Sequence, residues 1–215
     1  MTKKFHAALF DLDGVLVDTA KYHYLAWKNL ARELGFDFTE KDNERLKGVS
    51  RVRSLEILLE IGGLTFDEAT KAQLAAQKNE EYVGYIQNID EAELLPRARE
   101  CLLQLRARKV KIALGSASKN ALLILNNLKI PNLFDTVIDG NKAHRAKPDP
   151  QVFLLGAHEL GVDPADCVVF EDAEAGIQAA RAAGMYAVGV GQPDFLSAAD
   201  MVVPGLHAFD VDSLF

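Results

Sequence analysis

Cysteine is scarce in this chain, which has two among 215 residues. Cys101 lies among leucines and Cys167 precedes two valines, so both are typical of small core residues. Their positions form neither a disulfide framework nor a zinc-site pattern. The sequence also lacks a run of ~18 apolar residues and an apolar segment near its start, so we expect no membrane span, no secretion and a cytoplasmic location.

Positive charge is limited too, because 24 Lys and Arg residues are outnumbered by 31 Asp and Glu residues. The net charge of −7 argues against nonspecific nucleic-acid binding, which requires a basic surface. An anionic substrate would therefore have to be bound by a few local cations and backbone amides. The sequence shows no obvious apolar surface stripe, and we expect a monomer.

The middle of the chain contains no strand-like segment. Ala, Leu, Glu and Lys recur there at helical spacing, and Gly35 and the pair Gly62-Gly63 are natural helix ends. This pattern predicts an all-helical domain at residues 17–91, which we call the cap.

Strand-like and helical segments alternate outside the cap. Residues 5–11 form a short apolar run, and the alternation resumes near residue 95 with a helix that Pro96 is expected to open. Alternating units of this kind predict a doubly wound, Rossmann-like parallel sheet, so the fold class is α/β. We assign this core domain to residues 1–16 and 92–215, with the two chain connections to the cap lying side by side as hinges.

Polar side chains follow four of the predicted strands. Ligands of open α/β sheets bind outside the carboxyl ends of the strands, so these side chains are expected to share one edge. In chain order they are Asp11 and Asp13, then Ser116, Ser118, Lys119 and Asn120, then Lys147, and finally Glu171 and Asp172.

The residue types at this edge indicate phosphoryl transfer. Crowded carboxylates cannot all ionise unless a cation lies between them, and oxygen ligands without Cys or His favour Mg²⁺. Ser116 and Lys147, with backbone N–H groups near Ser118, suit the oxygens of a phosphate. Neutralising and aligning a phosphoryl group supplies most of the rate in such sites.

Each of these residues has a simpler interpretation when it is taken alone. Asp172 could be the N-cap of the helix that follows it, and Ser118 could cap a helix beginning at Lys119. Asp13 could belong to an ordinary Asp-Gly turn, and Lys147 could be a solvated surface residue. Their joint placement at four successive strand ends favours the functional interpretation.

Four motifs together resemble those of the haloacid dehalogenase superfamily of phosphotransferases. Their order and spacing match that superfamily, and the helical cap is similar to its small α-helical cap. The motifs are DLDGVLVDT, GSASKN, AKPDP and VFEDAEAGIQAARAAG.

Within that superfamily, nearly the whole chain resembles the β-phosphoglucomutase family. The segments that carry this likeness are DTAKYHYLAW, LKGVSRVRSLE and SASKN, whereas LHAFDVDSLF at the end is short for a closing helix. The resemblance implies a Mg²⁺-dependent interconversion of β-glucose 1-phosphate and glucose 6-phosphate through β-glucose 1,6-bisphosphate. A sugar-phosphate phosphatase and a catalytically silent sugar-phosphate-binding module are the alternatives, the latter disfavoured because no catalytic carboxylate is replaced.

The resemblance also implies roles for the residues at the sheet edge. Asp11 would be the nucleophile that forms an aspartyl phosphate. Asp13 would be the general acid and base, with its backbone carbonyl on Mg²⁺. Ser116 and Lys147 would hold the transferring phosphoryl group. The metal ligands would be Asp11, Asp13, Glu171 and Asp172.

Cap residues complete the site that the resemblance implies. Thr19 and His23 would position Asp13 when the cap closes, with Lys78 as a further candidate, although His23 could instead pack among neighbouring aromatic residues. Arg51 would bind the phosphate that is not being transferred. The full set of substrate-binding candidates is Gly48, Val49, Arg51, Lys78, Ser116, Ser118, Lys119 and Asn120.

Overall fold

A parallel β-sheet forms the centre of the molecule, in a computed structural model that describes residues 4–46 and 49–215. Its strands are β1 (Ala7–Phe10), β2 (Lys111–Gly115), β3 (Thr136–Ile138), β4 (Cys167–Glu171), β5 (Tyr186–Val190) and β6 (Met201–Val203). The spatial order is β3-β2-β1-β4-β5-β6, and every pairing is parallel. The predicted doubly wound α/β core is therefore confirmed, and the carboxyl ends of β1–β4 meet at one edge.

Helices cover both faces of the sheet and build the cap. They are α1 (Ala20–Glu33), α2 (Glu40–Asn43), α3 (Arg51–Gly62), α4 (Glu68–Ile86), α5 (Ala98–Ala107), α6 (Ala121–Asn127), α7 (Gln151–Leu160) and α8 (Glu174–Ala182). Helices α1–α4 lie between β1 and β2, as the helical insertion predicted. Within the part of the chain that the structure describes, no helix is both long enough and apolar enough to cross a bilayer.

Alternate residues of the central strand enter two different apolar clusters. Phe10 packs on one face of the sheet, where its ring stacks on Phe170 at 4.5 Å between centroids. Leu9 packs on the other face with Val169 and Phe153. Both faces of β1 are therefore buried, which explains why its residues are apolar without alternation.

The cap has an apolar cluster of its own. Trp27 and Leu30 of α1 meet Leu58 of α3 there, and all three side chains are buried. Helix α3 ends as the sequence predicts, because Gly63 takes the left-handed conformation with φ of 63°, which favours glycine. The helical block thus packs around its own core while joined to the sheet.

The two chain connections between cap and core are hydrogen-bonded to each other. The Asp18 amide donates to the Glu93 carbonyl at 3.1 Å, and the Leu95 amide donates to the Leu16 carbonyl at 3.0 Å. Side-by-side connections are the arrangement expected for a hinge. The boundaries of the two domains and the hinge motion itself stay predictions.

The start of α5 differs from the prediction, and the end of the chain adds a feature that was not predicted. Pro96 does not open α5, because Arg97 adopts a left-handed conformation with φ of 63° and helical geometry begins only at Ala98. At the end of the chain, 3₁₀ turns replace a closing helix and bury Phe209 and Phe215 against the core. The prediction for Pro96 was therefore wrong by two residues.

Candidate active site

A buried ion-pair cluster lies at the carboxyl end of the central strands. Asp11 follows β1, Glu171 is the last residue of β4, and Lys147 reaches them from the loop before α7. The Lys147 ammonium donates to Asp11 Oδ1 at 2.6 Å and also to Glu171 Oε1. Burial alone would lower the pKa of Lys147, but the two carboxylates raise it overall, so this lysine is a fixed cation.

Two glycines allow the carboxylates to approach this edge. A side chain at Gly176 of α8 would overlap the carboxylate of Glu171, and one at Gly14 would overlap that of Asp172. The Ala173 amide donates to Glu171 Oε2 at 3.0 Å, which fixes the buried side chain. Burial, reinforced by the charge of Asp11, raises the pKa of Glu171 although Lys147 opposes the shift.

Three carboxylates at this edge could hold a metal ion. Asp11, Glu171 and Asp172 each place an oxygen within 4.8 Å of the others. These ligands are all hard oxygens, which suits a cation such as Mg²⁺ or Ca²⁺. The Asp13 side chain is not among the three. The alternative that Asp172 is the helix N-cap was wrong, because Ala173 occupies that position and α8 has no side-chain cap.

The loop after β2 forms the neighbouring part of the edge. Ser116 is buried there, and its hydroxyl accepts a hydrogen bond from the Ser118 amide at 3.1 Å. Ser118 does not cap a helix beginning at Lys119, because α6 begins only after Asn120, whose amide donates to Ser118 Oγ at 3.2 Å. The Ser118 side chain therefore holds the loop rather than the helix.

A cavity of about 570 Å³ lies between this edge and the cap. It brings together most of the predicted site residues from both domains. Thr19 and Glu171 are buried outside its lining, and Gly48 lies outside the described residues. The predicted residues that line it are Asp11, Asp13, His23, Val49, Arg51, Lys78, Ser116, Ser118, Lys119, Asn120, Lys147 and Asp172.

Asp13 has surroundings very different from those of Asp11. Burial, with the charge of Asp11 adding to it, raises the pKa of Asp13 to about 7. One of its oxygens, Oδ1, is buried without a hydrogen-bond partner within the protein. Two carboxylates two residues apart therefore differ: Asp11 is ion-paired, whereas the pKa of Asp13 lies near neutral pH.

The cap contributes a buried lysine beside Asp13. Lys78 is 2% exposed, and its ammonium lies 2.7 Å from His23 Nδ1 and 4.7 Å from the ring centroid of Tyr82. Burial, followed by the charge of Arg51, lowers the pKa of Lys78 to about 7. Burial and the charge of Lys78 lower the pKa of His23, so the imidazole is neutral and Nδ1 can accept from Lys78.

Both interpretations of His23 hold at once. Its ring stacks on that of Tyr82 at 3.8 Å, as packing among aromatic residues predicts, and it also lines the cavity.

Sequence analysis missed Tyr82, although it follows Lys78 by four residues and so lies on the same face of α4. It also missed Asn79, which accepts a hydrogen bond from Asn120 at 2.9 Å across the domain boundary. No pattern in the sequence pointed to that pair.

Comparison with known proteins shows relatives over almost the whole chain. The β-phosphoglucomutase of Bacillus subtilis (strain 168) is 46% identical over 199 residues, which are 92% of this chain and 88% of that protein. The fructose-1-phosphate phosphatase YqaB of Escherichia coli (strain K12) is 34% identical over 190 residues, which are 88% and 98% of the two chains.

A solved structure is similar to the same extent. The β-phosphoglucomutase of Clostridium difficile superposes with a TM-score of 0.94 at 42% identity, covering 97% of this chain and 95% of that one. The family model of the haloacid dehalogenase-like hydrolases matches residues 5–184. That match spans the strand ends, the cap and the carboxylate cluster described above, and the chain belongs to the haloacid dehalogenase-like hydrolase family.

Proposed function

We propose that this protein is a β-phosphoglucomutase, which interconverts β-glucose 1-phosphate and glucose 6-phosphate through an aspartyl phosphate and β-glucose 1,6-bisphosphate. The observation that carries the proposal is the division between its two neighbouring aspartates. Asp11 is ion-paired to Lys147, whereas Asp13 is half-buried beside cap residues with a pKa of about 7. The identities of 46% and 42% to β-phosphoglucomutases support the same conclusion.

Asp11 acts as the nucleophile in this proposal. Its carboxylate lies in the cavity at the end of β1, where a phosphoryl group can approach in line. Lys147 and the hydroxyl of Ser116 hold the oxygens of the transferring group, since both lie at the same edge. The ammonium that neutralises Asp11 before reaction can then stabilise charge on the phosphoryl group.

Asp13 moves the proton between the sugar hydroxyl and the enzyme. An ordinary aspartate, with a pKa of about 3.9, is too weak a base and too poorly protonated to do both near pH 7. Burial under the cap brings the pKa of Asp13 to about 7, where it can give and accept a proton. The charges of Lys78 and Lys147 oppose this rise without cancelling it.

Magnesium is the ion that this proposal places beside Asp11. The three clustered carboxylates, Asp11, Glu171 and Asp172, would supply oxygen ligands, and the backbone carbonyl of Asp13 would complete the protein's share. Bound Mg²⁺ would supply positive charge to the transferring phosphoryl oxygens. The hard oxygen donors fit such an ion, and the Gly14 and Gly176 contacts explain how the carboxylates fit beside it.

The cap supplies the second phosphate site. A bisphosphate needs a cation at each end, and the net charge of −7 makes local cations necessary. Arg51 begins α3 on the cap side of the cavity, opposite Lys147 on the core side. Arg51 would bind the phosphate that stays on the sugar, with Gly48 and Val49 beside it. From the core, Ser118, Lys119 and Asn120 would face the same sugar phosphate.

A sugar-phosphate phosphatase is the second candidate, because the E. coli relative at 34% identity has a phosphatase name. Both reactions pass through phosphorylated Asp11 and differ in whether water or a sugar hydroxyl attacks it. A mutase must keep water away from the aspartyl phosphate, and closure of the cap over Asp13 would do so.

A coupled assay distinguishes the two candidates. The protein would be given β-glucose 1-phosphate, Mg²⁺ and a trace of β-glucose 1,6-bisphosphate, and both glucose 6-phosphate and free phosphate would be measured. We expect glucose 6-phosphate to form much faster than free phosphate, and Asp11→Asn to abolish both. Faster release of phosphate would establish the phosphatase instead. A rise in melting temperature with Mg²⁺, fluoride and glucose 6-phosphate but no turnover would indicate the silent binding module.

A further inference from the structure

Three buried polar atoms of the described residues have no hydrogen-bond partner within the protein, and all three belong to one place. They are Asp13 Oδ1, Thr19 Oγ1 and the hydroxyl of Tyr82. Buried hydroxyls normally find a partner, so three unpaired atoms together are unusual. They mark a group of side chains that is incomplete in this conformation.

Tyr82 lies at the boundary between the cap and the core. It belongs to α4 of the cap, yet it is 0% exposed and packs in the same apolar cluster as Leu12 and Leu16 of the core. Its ring stacks on His23, and the Lys78 ammonium lies over it at 4.7 Å. A tyrosine in this position is in contact with the cap residues that surround Asp13.

Thr19 is free to bond with Tyr82 because it does not cap its own helix. It occupies the N-cap position of α1, where a threonine hydroxyl usually accepts from a backbone amide, but no such bond is formed. The hydroxyl instead faces that of Tyr82 without hydrogen-bond geometry, and the Asp13 carboxylate is close enough to act on the same phenol.

One hydrogen-bonded chain joins the donors and acceptors of the three groups with Thr19 in the middle. A tyrosine hydroxyl can donate to Thr19 Oγ1, and the threonine hydroxyl can then donate to Asp13 Oδ1. Two hydrogen bonds would satisfy all three unpaired atoms. Because Oδ1 is buried while the residue as a whole is part exposed and lines the cavity, the other oxygen of Asp13 would be left facing the substrate.

We propose that Tyr82 is a positioning residue, which orients Asp13 through a Tyr82–Thr19–Asp13 hydrogen-bond chain that forms when substrate brings the cap onto the core. The chain confines the transferable proton to the oxygen of Asp13 that faces the cavity. This inference deepens the proposed function and depends on it, because Asp13 must be the acid and base for the chain to matter.

The test uses Tyr82→Phe, which deletes the hydroxyl and keeps the ring that stacks on His23. The matched control is Tyr85→Phe in the same helix. The hydroxyl deleted there donates to Glu81 Oε1 at 2.8 Å. For each protein, the phosphorylation of Asp11 in a single turnover would be measured with β-glucose 1-phosphate and with acetyl phosphate, because the later removal of the phosphoryl group needs Asp13 as base with either donor. Expelling a sugar alkoxide requires a proton from Asp13, whereas acetate is a good leaving group and requires none.

We expect Tyr82→Phe to lower the rate of Asp11 phosphorylation by the sugar phosphate about tenfold more than by acetyl phosphate, with KM for the sugar phosphate changed less than about twofold, as for partial loss of acid–base assistance. Tyr85→Phe should lower both rates equally or not at all. In a double variant, Thr19→Ala should add little to Tyr82→Phe, because both break the same chain. Equal losses with both phosphate donors, or additive losses in the double variant, would overturn the inference.

A melting measurement keeps the inference testable if the protein turns out not to be a mutase. An unpaired hydroxyl does not stabilise the ligand-free protein, so we expect Tyr82→Phe to melt no lower than the wild type. The rise in melting temperature produced by Mg²⁺, fluoride and glucose 6-phosphate should be smaller in the variant. A lower melting temperature without ligand, or an undiminished rise with it, would show that the hydroxyl serves the resting fold only. If the coupled assay yields only free phosphate, the mutase proposal fails, while the comparison of leaving groups still tests Tyr82.

Discussion

Replacing Lys147 by methionine tests the buried ion-pair cluster on which the site depends. The Lys147 side chain is 1% exposed, and its two partners, Asp11 and Glu171, are 9% and 0% exposed. Methionine has a similar length and is apolar, so it can fill the space of the lysine side chain while removing the charge, together with the contact of the ammonium 4.9 Å from the Phe153 ring centroid. The variant leaves two buried carboxylates without their cation.

The expected loss of stability is large. Removing one partner of a buried ion pair costs about 3–5 kcal/mol, because the remaining charge is left uncompensated. At roughly 2–4 °C per kcal/mol for a protein of this length, the melting temperature should fall by about 6–20 °C. The matched control is Lys142→Met. Its ion pair with Glu159 at 3.1 Å has side chains 50% and 37% exposed, and such exposed pairs contribute about 0–1 kcal/mol.

The loss should depend on pH in a definite direction. Burial already raises the pKa of Glu171 above its usual range, and removal of Lys147 raises it further. A carboxyl whose pKa is higher in the folded state binds more protons there than in the unfolded state, so stability falls as pH rises. The metal-free variant should therefore be close to the wild type at pH 4.5 and increasingly less stable up to pH 7 and above.

Thermal unfolding in EDTA, from pH 4.5 to 8.5, measures this loss, and repeating it with Mg²⁺ measures its rescue. A cation at about one hundred times its Kd adds roughly 2.7 kcal/mol. Mg²⁺ should raise the melting temperature of the Lys147 variant more than that of the wild type, because the ammonium no longer repels it. If Lys147→Met lost no more stability than Lys142→Met, or if the loss were the same at pH 4.5 and pH 8, the Lys147 ion pairs would not stabilise the site as expected.

Three further predictions concern activity. Asp13→Asn should keep Mg²⁺ and substrate binding but slow phosphoryl transfer from the sugar by ~10²–10⁴-fold, measured by the coupled assay; unchanged turnover would contradict its role. Arg51→Ala should reduce mutase activity far more than hydrolysis of acetyl phosphate, which has no second phosphate; equal reductions would remove Arg51 from the substrate site. Asn79→Ala deletes the 2.9 Å bond from Asn120 and should raise KM for glucose 6-phosphate severalfold. Asn127→Ala deletes the 2.9 Å bond from the far end of α6 to the Ile86 carbonyl, and it should lower only the melting temperature. Matching KM values for these two variants would show that the Asn79 bond does not act on substrate binding.

The residues at the sheet edge could be predicted because short apolar runs in the sequence show where each strand ends. Asp11, Ser116 and Glu171 each follow or end a short apolar run, and parallel strands bring their carboxyl ends together. Residues within the same few positions were harder to assign. Ser118 and Asp172 both precede helices, but neither caps one. The Ser118 hydroxyl accepts from the Asn120 amide within the loop. Beside Asp172, it is Glu171 that accepts from the Ala173 amide and packs against Gly176 of α8.

Contacts across the boundary between cap and core could not be predicted. Tyr82 and Asn79 look like ordinary helical residues in the sequence. Their roles depend on contacts with the core, where Tyr82 packs near Leu16 and Asn79 bonds to Asn120. The three unpaired polar atoms, Asp13 Oδ1, Thr19 Oγ1 and the Tyr82 hydroxyl, are contributed by segments more than sixty residues apart in the chain. No local pattern encodes that meeting, because it depends on how α1 and α4 pack together.

The α/β core, the helical insertion after β1 and most residues of the sheet edge could be predicted from the amino-acid sequence. This was possible because hydrophobic periodicity and motif order depend on near neighbours in the chain. That DLD contains two different carboxylates follows from the three-dimensional packing alone. The ion pair of Asp11 with Lys147 and the half-buried position of Asp13 beside the cap arise from residues distant in sequence, and this partial burial together with nearby charge raises the pKa of Asp13.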